Sequence, residues 1–202
     1  MLFVGVLFAA VITKTLDLSS ADGLPAAGAA HLILAAVLVI TSWIGYHNST
    51  GRSTYRIEFF NLPLAQFSIE MTHVYLFWLV ATTAETAASR RASAIPETVL
   101  LVVVFALFMV WDQVALAMRR SERYTTSSMR EDHPERRRVT NLVFLFIFGL
   151  SVVVLIVDPR SPAAVIAIDA VLGLCLIAHR AVQNLASDLA DKAATRRAAA
   201  PD

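Results

Sequence analysis

The stretch LAQFSIEMTHVYLFWL, residues 64–79, holds three side chains able to bind or pass a proton or to hold a cation: Gln66, Glu70 and His73. At 100° per residue they fall within about 60° of one another on one helix face. Their surroundings are otherwise lipid-soluble, and an ionisable residue at mid-bilayer costs roughly 2.5–3.5 kcal/mol on insertion scales. Two further groups of this kind occur. Asp112 and Gln113 interrupt the run FALFMVWDQVAL, while His31 and Asp169 interrupt two other apolar runs. No Lys or Arg lies at matching depth in those runs. The acids must therefore be hydrated, protonated, hydrogen-bonded to histidine or bound to a cation. Each state suits an ion or proton pathway, and each equally suits a structural polar network that fixes helix register.

Other chemistry finds less support. Glu70-x-x-His73 is half of a di-iron carboxylate motif, which needs a second such pair on another helix, and no span contains one. Haem ligation needs two histidines at equal depth on facing helices; His31 and His73 differ in depth, and His47 and His179 stand at the ends of their apolar runs, where an interfacial place is expected. Cys175, the single cysteine, lies inside an apolar run, which excludes a disulfide framework and a thiolate metal site. No cofactor and no metal site are expected. The sequence holds no G-x-S-x-G, H-E-x-x-H or Gly-rich phosphate loop, so an enzyme is not expected either. No span carries an arginine ladder for voltage sensing.

The elements that position these residues follow from composition. The chain has 202 residues, 57% hydrophobic and 16% charged, with mean hydropathy +0.63; soluble domains carry about 25% charge. Crossing a hydrocarbon core takes about 20 mostly apolar residues, and six stretches qualify, at 2–18, 25–46, 62–87, 96–118, 140–157 and 162–182. The first lacks a basic leader and a clear small-residue cleavage site and is read as a retained span. Pro25, Pro63, Pro96 and Pro162 stand at span starts, where a missing N–H is harmless, and Ser161 is a cap. The fifth span has no ionisable residue and is expected to face lipid. The expectation is an all-α, polytopic integral membrane protein: a six-helix transmembrane bundle forming one domain over residues 1–202.

Orientation comes from Lys and Arg in alternate loops. One side collects Arg52 and Arg56, seven arginines of the 119–139 loop, and Arg180, Lys192, Arg196 and Arg197, thirteen of the seventeen. This asymmetry places both termini, the loop 119–139 and the tail 183–202 in the cytoplasm of a multi-pass protein of the cell (inner) membrane. By helix rise, Glu70 then lies about 12 Å and Asp112 about 9 Å in from the cytoplasmic side, with His73 a turn deeper. His31 and Asp169 each lie about 10 Å in from the outside. Ser68, Thr72, Tyr75, Thr82 and Thr86 form a second polar stripe nearly opposite Gln66, Glu70 and His73, so the third span is expected to be central, with protein or water on two sides.

Arg119, Arg120, Arg123, Arg136, Arg137 and Arg138 form a cytoplasmic basic patch that sets topology and suits anionic lipid headgroups or a cytosolic protein. Ala163, Ala167, Ala170 and Gly173 permit close helix contact within or between subunits, which fits a homo-oligomer. The partner is the lipid bilayer; no nucleic acid is expected. Size and six-span layout are similar to those of compact bacterial solute channels. The function expected is a small channel or transporter with an acidic and histidine-lined interior, moving a cation, proton or small polar solute. The alternative is a non-transporting scaffold or sensor that recruits a cytosolic partner through the 119–139 loop and tail.

Overall fold

A computed structural model, describing residues 2–20, 23–50, 61–89, 93–120, 134–157 and 160–198, turns the six stretches into six α-helices. These are α1 (Leu2–Ser19), α2 (Ala26–Thr50), α3 (Leu62–Ser89), α4 (Ile95–Arg120), α5 (Pro134–Val157) and α6 (Pro162–Ala198). No strand occurs among the described residues. Local chemistry sets the helix starts. Leu64 N–H donates to Asn61 Oδ1 at 2.9 Å and Ala164 N–H to Ser161 Oγ at 3.2 Å, each satisfying a first-turn donor. Gly23, between α1 and α2, takes φ +79°, a conformation glycine adopts without strain. Two helices outrun their apolar stretches: α5 begins at Pro134, within the arginine-rich loop, and α6 continues through the alanine-rich tail to Ala198.

Each helix packs against the next in sequence, and α2 meets α6, so α2 to α6 close on themselves. Helix α1 lies against α2 and α3, and Lys14 pairs there with Glu85 at 2.7 Å on the surface. The interior is apolar at mid-height. Leu34 and Leu38 of α2, Phe77 and Val80 of α3, Leu101, Val104 and Phe105 of α4, Phe148 of α5, and Leu172 and Leu176 of α6 are all buried there. Phe105 stacks on Phe148 with ring centroids 4.4 Å apart, the offset geometry that aromatic pairs prefer.

The outside is apolar as well. Ile33 and Ile40, Val99, Val103 and Val110, Leu142, Phe146 and Leu150, and Leu174 and Ile177 are all exposed, far beyond the scattered apolar residues of a water-facing surface. Among the described residues, three segments are long and apolar enough to cross a membrane: Ala26–His47, Ile95–Met118 and Pro162–Leu185. Helix α5 has a shorter apolar stretch, Arg138–Val153, and α3 is diluted by its own polar residues.

Helix α3 touches α1, α2 and α4, but only one of its polar stripes is buried. Gln66, Glu70 and His73 face inward, whereas Ser68, Thr72 and Tyr75 are exposed. The inner stripe therefore meets protein, and the outer one lies on the surface of the bundle. Ser68 Oγ donates to Leu64 O and Thr72 Oγ1 to Ser68 O, both at 2.9 Å. A hydroxyl that bonds its own helix one turn back needs no partner helix.

Candidate functional site

Helices α4 and α6 each present a stripe that is polar near its ends and apolar in the middle, and buried polar residues of α2 to α6 assemble into two separate layers. On α4 the stripe is Glu97, Leu101, Val104, Phe108, Asp112; on α6 it is Asp169, Leu172, Leu176, His179, Gln183. The spacing of three and four residues keeps each set on one face. Fifteen residues separate Glu97 from Asp112, about 22 Å of helix rise, and the buried apolar layer lies between.

The first layer lines a cavity of about 100 Å³ at the end of the bundle where α4 finishes and α5 begins. That is room for several waters or one small solute. Glu70, His73, Trp111, Asp112, Asn141, His179, Arg180 and Gln183 line it, with Phe8, Phe77 and Phe108 as its apolar wall. Glu70 Oε1 accepts from Gln66 Nε2 at 3.2 Å and from Trp111 Nε1 at 3.3 Å. Asp112 Oδ2 accepts from Asn141 Nδ2 at 2.6 Å. The same amide's oxygen accepts from Gln183 Nε2 at 2.9 Å and lies 2.7 Å from His179 Nε2, which in turn lies 3.1 Å from Gln183 Nε2. Gln183 in turn accepts from Arg180 Nη1 at 2.9 Å. The result is a relay of polar groups from α4 through α5 to α6.

Two details fix this geometry. A Cβ at Gly45 would collide with the Arg180 guanidinium, so glycine lets that cation lie against α2 beside the cavity. His73 bonds no carboxylate: its Nε2 lies 3.3 Å from Val104 O, and its ring stacks on Phe108 at 4.4 Å. Glu70 and Asp112 thus share one cavity, while His73 forms part of its wall.

The second layer joins His31 of α2, Glu97 of α4 and Asp169 of α6. His31 Nδ1 lies 2.7 Å from Asp169 Oδ2 and 3.4 Å from Glu97 Oε1, and all three residues are buried. None of them lines the cavity.

Several sequence expectations change. Gln113 is exposed and does not join the polar interior: one residue past Asp112 is 100° around the helix. With its amide oxygen turned toward α5, it accepts from Arg138 at 3.0 and 3.1 Å. His179 is buried against the cavity, six residues before the end of the apolar segment Pro162–Leu185. Trp111, half-buried at the cavity, donates its indole N–H to Glu70. Of the basic patch, Arg120 and Arg138 are exposed; Arg123 lies outside the described residues, as do the side chains of Arg119, Arg136 and Arg137. Glu97, Asn141, His179, Arg180 and Gln183 were missed. Their signal was periodicity, since each falls on a buried face already marked by another residue: Asn141 with Phe144 and Phe148, Glu97 with Asp112, and His179 with Asp169. Comparison with protein-family models, with curated proteins and with solved structures finds no match.

Proposed function

We propose that this chain is a six-span protein of the cell's inner membrane, with both termini and the 119–139 segment in the cytoplasm, acting as a small channel or transporter. The cargo is a cation, a proton or a small polar solute. Thirteen of seventeen Lys and Arg on one set of loops support the orientation. The apolar exterior supports the lipid setting. One observation carries the transport reading: a solute-sized cavity with two carboxylates and a linked amide–imidazole–guanidinium chain at one end of the bundle, sealed toward the other end by apolar residues. In this reading the cavity opens to the cytoplasm, Glu70 and Asp112 attract the cargo, and the layer around Phe105 and Phe77 is the gate. Exposed Ala163, Ala167 and Ala170 on α6 offer a face for a second copy, and Arg120 and Arg138 are placed for anionic headgroups.

Flux into liposomes tests it. Purified chain is reconstituted and assayed for proton, monovalent-cation and divalent-cation movement. Glu70→Gln and Asp112→Asn are each expected to lower flux at least tenfold while helical content is unchanged. Unaltered flux in both removes the cavity from the mechanism. Absence of any flux from the wild-type chain favours the scaffold reading instead.

A further inference from the structure

At the end of the bundle away from the cavity, a single ring nitrogen faces two carboxylates. His31 is 1% exposed, Glu97 0% and Asp169 3%. The Nδ1–H of His31 satisfies one oxygen, Oδ2 of Asp169, at 2.7 Å. Both oxygens of Glu97 and Oδ1 of Asp169 are buried without a hydrogen-bond partner among the described residues. No Lys or Arg among those residues pairs with either acid; Lys14 is engaged by Glu85 and Arg180 lies in the cavity layer. Buried polar atoms are nearly always met by a partner, so three unpartnered oxygens on two carboxylates of one buried cluster call for a positive centre.

The geometry points to a binding site for a divalent transition-metal cation of the zinc class, held by His31 Nδ1, one Glu97 oxygen and one Asp169 oxygen. The three ligand atoms lie within 4.8 Å of one another. Around a cation with bonds of about 2.1 Å, tetrahedral ligands stand about 3.4 Å apart. The His31–Glu97 separation of 3.4 Å already fits. The His31–Asp169 contact must widen by about 0.7 Å to reach the tetrahedral spacing, and it does so when the Nδ1 proton leaves and the metal takes its place. Two carboxylates neutralise a double positive charge, which a dry interior demands. One imidazole beside two oxygens suits zinc, manganese or iron(II) better than calcium or magnesium, which take oxygen ligands. The ligands come from α2, α4 and α6, so the cation ties three helices at one end of the bundle. The site stands apart from the transport reading, since none of its ligands lines the cavity.

Cobalt(II) is the probe, because its visible absorption reports ligation by nitrogen and oxygen. Tag-free full-length chain in lipid nanodiscs is stripped with chelator and titrated with Co²⁺, then with Zn²⁺ in competition. One Co²⁺ per chain, displaced by Zn²⁺, is expected, with affinity at least tenfold weaker in Glu97→Gln and Asp169→Asn. Glu70→Gln and Asp112→Asn keep full binding, whatever they do to flux. Circular dichroism and size exclusion first establish that each variant is folded. Should a carboxylate variant misfold, the other and His31→Gln decide. A folded wild-type chain that takes up no cobalt overturns the site, as does binding that survives both carboxylate substitutions; the three groups would then only share protons.

Discussion

The two polar layers use the same residue types and differ in how their charges are met. In the cavity layer, each carboxylate receives neutral donors, Gln66 and Trp111 for Glu70 and Asn141 for Asp112, around a space of about 100 Å³. In the His31 layer, two acids face one imidazole N–H, and three oxygens have no partner among the described residues. Amide and indole donors meet the carboxylates of the cavity layer directly. A dry cluster of acids holds its charge only with a counter-ion. The first arrangement suits something that comes and goes, the second something that stays.

Substitutions separate these two economies. The largest effect is expected at His31→Leu, which leaves Glu97 and Asp169 facing each other with no positive or donating group. Breaking a buried pair on one side costs about 3–5 kcal/mol, and thermal or denaturant unfolding in detergent should register it. Replacing His31, Glu97 and Asp169 together with leucine should recover most of that loss, because an apolar set of similar volume is often no worse than a buried ion cluster. A triple variant as unstable as the single one would break the contrast between the layers.

A middle effect is expected at Asn141→Leu. The side chain has similar volume, but Asp112 loses its donor at 2.6 Å, and His179 and Gln183 lose their shared acceptor. Orphaned buried polar groups cost about 1–3 kcal/mol, discounted here because the cavity admits water to them. Stability falling by clearly less than in His31→Leu, with flux reduced, sharpens the distinction between a wet and a dry layer. The smallest effect belongs to Thr72→Val on the outer stripe of α3. Its hydroxyl serves only Ser68 O in its own helix, so unfolding should shift by less than about 0.5 kcal/mol. A larger loss would mean that this exposed stripe packs against something after all.

The helices were legible because apolar length and proline placement are local signals. The starts of α2, α3, α4 and α6 fall within a residue of where the prolines put them. The ends of α5 and α6 were not, since charged residues such as those of 134–139 and 183–198 carry helix as well as loop, and hydropathy registers only the apolar part. Within the site, helix rise alone put Glu70 and Asp112 at one depth, and both line one cavity. Rise without rotation misled at Gln113, and the same neglect of rotation hid Glu97 and His179, which share faces with residues already singled out. The outer Ser and Thr stripe needs no partner helix, because Ser68 and Thr72 bond carbonyls of their own helix.

By itself the sequence determined that this chain is six helices with apolar bodies and a few ionisable residues inside them, because both properties depend on composition and on neighbours a turn away. Only the tertiary structure decided that those residues separate into two groups, and which oxygens in each find a donor. That outcome depends on how five helices are rotated about their axes and which pairs meet, and rotation is set by packing across the whole bundle. Carboxylates of one chemistry therefore line a cavity at one end, as Glu70 and Asp112, and gather around a single histidine at the other, as Glu97 and Asp169.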